Sequence, residues 1–379
     1  MDIQELRKII DGIDDEMTRL FVKRMQAAEE VSRFKKENGM LVQDRTRERE
    51  ILFRVTENAP RELEAYVKTL FQTLFSMSRS RQNTIVAKNN RLAEDIKAAV
   101  EETPSLFPTK AVVACQGVEG AYSQIAADKL FSIADIMYFN SFEGVFRAVE
   151  KGLCRYGVLP VENSSHGSVT QVYDLMKKHN FHIVRSLKLK IDHSLLAKPG
   201  TRLGDIKEIV SHEQAIAQCG EFLESLKGVK ITVAENTASA ARAVAESERS
   251  DLAAISSGDC ASLYGLETLG GEIQDNPNNF TRFICISKKL EIYPGANKVS
   301  LMLSIPHRPG SLYELMSKFS VLGLNLTKLE SRPVPEKEFE FMFYFDIEAS
   351  VESEAVVGLL CEIAADSLQF GFLGNYAEV

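Results

Sequence analysis

Between residues 3 and 34 apolar side chains recur at spacings that alternate between three and four: Ile3, Leu6, Ile10, Ile13, Met17, Leu20, Ala27, Val31 and Phe34. This is a heptad seam, the pattern of a helix that packs along its length on another helix. A helix of about 32 residues is about 48 Å long. A compact domain of about 100 residues has a radius of gyration of only about 13 Å. One small domain cannot cover such a seam, so the pattern predicts a helix paired with a second copy of itself, a helical dimer.

The seam is interrupted at position 24, where an apolar residue is due and arginine stands. Arg24 and Lys35 are eleven residues apart, about three turns, and share a face to within about 20°. Arg7 lies on a different flank and can reach across a dimer. After "ENGML", the run "DRTRERE" places Asp44, Arg47 and Glu48 on one helical face. A third helix carries Leu63, Val67, Leu70 and Leu74, and its stripe continues into Ser78 and Gln82. Singly, each has a plain reading: Arg24 as a polar residue that sets register, "DRTRERE" as a solvated face. Together they put cations, acids, a hydroxyl and an amide on faces that ought to be apolar. A buried cation needs a counter-charge or an anionic ligand. The set suits a small dianion carrying a hydroxyl. None of it is arranged as a nucleophile with its base, so such a site holds and polarises and does not attack.

This spacing resembles the all-helical chorismate mutase family over most of residues 3 to 83. The resemblance implies an intertwined, domain-swapped dimer of three-helix chains. It further implies that Arg24 and Arg47, with Arg7 of the second copy, bind the substrate carboxylates. Lys35 and Gln82 would hydrogen-bond the ether oxygen, Asp44 and Glu48 would orient the ring hydroxyl, and Ser78 would assist a carboxylate. The implied chemistry, a pericyclic shift of chorismate to prephenate, needs a compact conformer and stabilised charge on the ether oxygen, with no covalent catalyst.

At 379 residues the chain is too long for one core. "EETPSLFPTK" and "EIYPGANK" read as linkers, giving domains at 1–100, 110–288 and 297–379. The first residues carry no apolar signal core, and no run approaches 18 uncharged apolar residues, so neither secretion nor a membrane span is expected. The six cysteines (115, 154, 219, 260, 285 and 361) are scattered through apolar stretches without CxxC or metal spacing. They read as reduced core residues of a cytoplasmic protein that binds no metal. A net charge of −8 argues against nucleic acid as the main partner.

The middle domain repeats strand, small polar loop and helix five times, from "AVVACQGVEGAYSQIAADKL" through "RYGVLPVENSSHGSV", "IKEIVSHEQAIAQC" and "KITVAENTASAARAVAE" to "DLAAISSGDCASLYGL". That alternation predicts parallel α/β sheets with ligands beyond the carboxyl ends of the strands. "GVEGAYS" has neither a P-loop ending nor a dinucleotide fingerprint, and no cofactor is expected. Ser211 can cap a helix and His212 reads as a loop histidine. Thr281 and Arg282 stand at the mouth of the apolar strand "FICIS", with no histidine or carboxylate in the stretch.

The series "GxxGAYS", "PVENSSHGSV", "SHEQAIAQC" and "NFTRF" resembles prephenate dehydratase over most of residues 111 to 287, with Val118 where proline is usual. The family's fold is two α/β lobes, like a periplasmic binding protein, with the site in the cleft. The resemblance makes Thr281 the catalytic hydroxyl. Asn163, Ser164, Ser211 and Gln218 would line the substrate site, with Glu162 and Glu235 nearby. Arg282 has two open readings, a carboxylate ligand or a structural salt bridge.

The last 80 or so residues alternate as βαββαβ, a ferredoxin-like α+β order. Their "GSLYELM" and "ESRP" resemble the ACT regulatory domain, with Ser311 in place of alanine and Met316 in place of leucine. By that resemblance Gly310, Ser311, Leu312 and Tyr313, with Glu330, Ser331, Arg332 and Pro333, bind L-phenylalanine as an effector. The three resemblances imply an enzyme that takes chorismate to prephenate and prephenate to phenylpyruvate, as a homodimer or higher oligomer under phenylalanine feedback. Two rivals remain at this stage: a dehydratase of prephenate or arogenate with a purely structural helical arm, and a non-catalytic amino-acid sensor.

Overall fold

The computed structural model describes residues 2–38, 44–86, 90–334 and 340–379. They form two compact units, Met1–Glu101 with Lys298–Phe372, and Glu102–Asn297 with Leu373–Val379.

The chain opens with helix α1, Ile3–Glu37, 35 residues long, or about 52 Å. Along it Ile3, Ile10, Ile13, Met17 and Leu20 are all half exposed or more. The predicted seam is therefore helical, and in the single chain it is bare. What α1 covers is a neighbouring stripe near its carboxyl end, where Met25 and Ser32 meet helix α3. Helix α2 spans Arg45–Glu57 and is capped by the Asp44 carboxylate, which accepts from the Arg47 backbone N–H at 3.0 Å. Helix α3, Glu64–Val86, packs on both α1 and α2. Helix α4, Arg91–Glu102, follows and buries Ile96 and Ala99.

The second unit holds two α/β lobes. In the first, strand β1 (Lys110–Gln116) lies parallel to β2 (Ile133–Phe139) and β3 (Tyr156–Asn163), with helices α5 (Tyr122–Leu130) and α6 (Phe142–Glu150) between them. A short strand β4 (Gly167–Ser168) pairs with the end of β3, and helix α7 (Thr170–Met176) leads to strand β5 (His182–Lys190). The chain then crosses to the second lobe. Strands β6 (Ser194–Ala197), β7 (Glu208–Ser211), β8 (Lys230–Val233), β9 (Leu252–Ser256) and β10 (Glu267–Gly270) form its sheet in the order β10-β6-β9-β7-β8. Helices α8 (Glu213–Gln218), α9 (Gly220–Ser225), α10 (Thr237–Glu246) and α11 (Asp259–Tyr264) connect them. The chain crosses back and ends the unit's main span with β11 (Phe280–Ser287), inserted between β3 and β5.

The five strand–loop–helix units pair in parallel as expected, β1 with β3 and β7 with β8 and β9, but the strands next to the lobe crossings do not. Strand β11 is antiparallel to both neighbours, as β6 is to β9 and β10 is to β6. Parallel pairing needs a crossover that returns the chain to the same end of the sheet. A strand that re-enters from the other lobe has no such crossover, so it runs the opposite way. The "GVEGAYS" turn is shaped by contact between the lobes. At Gly120, φ is +87° and a Cβ would lie 2.8 Å from the Cys260 sulfur, a position open only to glycine. All six cysteines are buried and free. Burial pushes the Cys219 thiol up to about 12, which keeps it protonated and unreactive.

The last segment runs β12 (Lys298–Ser304), α12 (Ser311–Val321), β13 (Asn325–Pro333), β14 (Phe341–Glu348), α13 (Glu354–Asp366) and β15 (Gln369–Glu378). The strands lie in the order β13-β14-β12-β15, and α12 and α13 pack against α3 within the first unit. Lys318 and Glu362 are both buried there and pair at 2.9 Å, as buried charges must. The end of β15 belongs to the second unit, where Ala377 and Glu378 pair with Arg185 and Ser186 of β5.

Candidate active sites

The lobes of the second unit are joined by two crossings, residues 191–193 and 271–279, and the crossings bond to each other. Ile273 N–H donates to the His193 carbonyl at 2.9 Å, and Ile191 N–H donates to the Asn279 carbonyl at 2.8 Å. The Gln274 side chain accepts the His193 N–H at 2.9 Å and donates to Asp192 at 2.9 Å. Beside this junction strands β3 and β11 place Asn163 directly opposite Thr281. Asn163 Nδ2 donates to Thr281 Oγ1 at 3.0 Å and to Asn279 Oδ1 at 2.8 Å. Because the Thr281 oxygen accepts from Asn163, its own proton is left to donate elsewhere. Asn279 Nδ2 donates to Gln218 Oε1 at 3.0 Å, which brings a side chain of the second lobe onto the same chain of bonds. No carboxylate touches Thr281 among the described residues.

The other predicted cleft residues divide. Ser164 Oγ donates to the Asn278 carbonyl and accepts the Phe280 N–H, both at 2.9 Å, so it latches the entrance to β11. Ser211 is fully buried and donates to the Ile255 carbonyl at 2.6 Å. His212 caps α8, and burial lowers its pKa. Glu235 is exposed. Arg282 follows Thr281 on the strand and therefore faces the opposite side of the sheet. There it lies 3.8 Å from Glu162, 3.6 Å from Glu378 and 3.3 Å from the Tyr376 hydroxyl. Those partners favour the structural salt bridge of its two open readings.

In the first unit, α1 and α3 bring Arg24 to 2.5 Å from Ser78 Oγ, with its guanidinium 5.7 Å from the centre of the Phe75 ring. Burial lowers the Arg24 pKa, and among the described residues no carboxylate pairs with it. A half-buried cation without a counter-charge is costly, and an anion would offset that cost. Gln82, one turn further along α3 than Ser78, is buried, its backbone carbonyl accepting from the Ser32 hydroxyl, and Lys35 is half-buried. Glu48 reaches α3 and pairs with Arg79. Arg47 is exposed and pairs with Glu50 at 3.0 Å, and Asp44 is occupied by its cap. Arg7 is exposed, seventeen residues or about 26 Å along the helix from Arg24. Within one chain the structure thus brings Arg24 and Ser78 together and leaves Arg47 and Arg7 exposed. Sequence reading missed Arg79, Asn279 and His193. Asn279 was within reach, since it stands inside "NFTRF".

In the last segment Gly310 takes φ +87° at the start of α12, a turn that suits glycine. Register aligns Ser304 with Met342, and Met342 with Arg332. The turn after β12 and residues 330–333 therefore lie at the same end of the sheet. Ser311 is buried and Tyr313 exposed. Glu330 lies 3.9 Å from Lys328, and Arg332 and Leu312 are half-buried, with Ser331 and Pro333 exposed.

Comparison with known proteins bears on these sites. The profile described as Chorismate mutase type II matches residues 6–83, and that described as Prephenate dehydratase matches residues 113–291. An arogenate dehydratase/prephenate dehydratase 2 of Arabidopsis thaliana, a chloroplastic protein, is 35% identical and covers 81% of this chain and 87% of its own. The crystal structure of prephenate dehydratase from Arthrobacter aurescens in complex with L-Phe is 29% identical, with a TM-score of 0.65, over 70% of this chain and 89% of that one. The bifunctional chorismate mutase/prephenate dehydratase of Escherichia coli K12 is 31% identical over 381 residues, covering 98% of this chain and 95% of its own. Matched from end to end by an enzyme with both activities, the chain belongs to the bifunctional chorismate mutase/prephenate dehydratase family.

Proposed function

We propose that this enzyme carries out its two reactions at two separate sites, with the Thr281 hydroxyl as the hydrogen-bond donor to the leaving oxygen at the second. At the first, Arg24 and Ser78 bind one carboxylate of chorismate. Arg47, Asp44 and Glu48 close the site when substrate draws them in, and Arg7 arrives from a second copy along the bare seam of α1. Lys35 and Gln82 stabilise charge on the ether oxygen as the bond breaks. At the second, prephenate loses carbon dioxide and its ring hydroxyl. Thr281 hydrogen-bonds the departing oxygen, with Asn163 holding the threonine by its other lone pair. The observation that carries this reading is the Asn163 to Thr281 bond, because it directs the threonine proton outward without any base.

The residues 310–313 and 330–333, at one end of a βαββαβ unit, serve as the ACT-type site for L-phenylalanine as feedback effector. The Arthrobacter relative, solved with L-Phe, supports that ligand class. The domain limits are those of the linkers, 1–100, 110–288 and 297–379, and the long helices make a homodimer. No described helix is long and apolar enough to cross a membrane, and the proposed location is the cytoplasm. The Arabidopsis relative's double name supports arogenate as a second substrate for the cleft.

The test is the purified chain with chorismate alone, following prephenate and phenylpyruvate separately, with and without L-phenylalanine. Both products are expected in sequence above the uncatalysed background, and phenylalanine should slow the second. Chorismate that persists while added prephenate is consumed would make the helical arm structural.

A further inference from the structure

The hydrogen bonds around Thr281 have one polarity, and it can be followed from a fixed starting point. The backbone N–H groups of Ser165 and His166 both donate to Asn163 Oδ1 at 3.0 Å. Backbone amides cannot reverse, so Asn163 must turn its nitrogen to Asn279 Oδ1. Asn279 must then offer its own nitrogen to Gln218 Oε1. On the far side, His193 Nε2 lies 2.7 Å from the same oxygen. Since that oxygen faces a donor already, the imidazole has to donate as well, which puts its proton on Nε2. Nδ1 of His193 is buried and has no partner among the described residues, as an unprotonated nitrogen tolerates better than an N–H. Burial also lowers the His193 pKa, which keeps the ring neutral.

Gln218 Oε1 thus receives two donors and its lone pairs are filled. Its nitrogen points the other way, to Nδ1 of the exposed His166 at 3.0 Å, and has a second N–H to give. We propose that His193 and Asn279 are positioning residues that lock the Gln218 amide with its nitrogen toward the cleft, as donor to a substrate carboxylate. A flipped amide would turn an oxygen to that anion and repel it. The lock rests on the dehydratase reading of the cleft. It spans both lobes, since Gln218 belongs to the second lobe and His193 and Asn279 to the two crossings.

The experiment measures prephenate turnover by the full chain carrying His193→Leu or His193→Gln, with the thermal melt of each variant as the control for folding. A glutamine places an amide nitrogen near the position of imidazole Nε2 and restores the donor. Losing a hydrogen bond to a charged group should raise KM for His193→Leu roughly tenfold, with kcat changed by less than about threefold. His193→Gln should stay close to wild type. A wild-type KM in His193→Leu, or a His193→Gln variant as impaired as His193→Leu, overturns the lock while leaving the dehydratase reading intact. If His193→Leu fails to fold, His193→Phe removes the same donor while keeping a ring in its place: a raised KM with kcat little changed supports the lock and an unchanged KM overturns it. Wild-type chain that leaves prephenate untouched removes the dehydratase reading itself.

Discussion

The two sites are assembled in opposite ways. In the cleft, Thr281, Asn163, Asn279, Gln218 and His193 are already bonded to one another in a single chain. In the helical unit, Arg24 has reached Ser78, but Arg47 points to solvent with Glu50 and Arg7 stands far along a helix whose apolar seam is bare. The difference follows from the elements. Strand register places side chains opposite each other by backbone bonding alone. A straight helix distributes its residues over a length that no small domain can gather, and in the proposed reading a second helix completes its site. A cleft made by folding one chain on itself is preorganised, whereas the proposed site on the long helix would be finished by association.

Three changes can break or sharpen that contrast. The largest effect is expected from Thr281→Ala, which should lower prephenate dehydration by roughly 10²–10⁴-fold and leave chorismate consumption as it was. Parallel loss of both activities would show that the sites are not separate. Next, aspartate at both Ile10 and Ile13 should place charges on the seam and yield monomers by sedimentation. Mutase activity should then fall by roughly 10²-fold through lost positioning, with dehydration affected far less. A dimer that survives with full mutase activity would mean that the seam is not the association surface.

The smallest effect concerns Glu208, which the Thr232 hydroxyl, Arg249 and Lys230 hold down to about 2. A folded-state value below the unfolded one adds stability that is present above the ordinary pKa near 4.5 and is lost as pH falls toward about 2. Glu208→Gln should flatten the pH dependence of Tm in that interval and change little at neutral pH. An unaltered acid limb would remove Glu208 from the account.

Much of the cleft could be read from the sequence because its residues stand in short local motifs. "PVENSSHGSV" supplied Asn163 and "NFTRF" supplied Thr281. The lock on Gln218 could not be read the same way. His193 lies in a crossing with no motif around it, thirty residues from Asn163 and eighty-eight from Thr281, and its importance comes from what it touches. Arg79 was hidden for a similar reason: its partner Glu48 is on another helix. Asp44 and Arg47 share a face by spacing, yet local chemistry intervened, since an acid immediately before a helix is drawn to the free backbone N–H groups of the first turn.

By itself the sequence determined the periodicities: a helix too long for its own domain, an α/β alternation and a βαββαβ end, because local spacing and turn residues govern those within a few residues of chain. Only the tertiary structure decided that β11 enters its sheet antiparallel, that Arg282 turns away from Thr281 toward Tyr376 and Glu378, and that one run of hydrogen bonds ties both lobes to the Thr281 hydroxyl. Strand direction and side-chain partnership depend on which distant segments meet, and local spacing carries no information about that encounter.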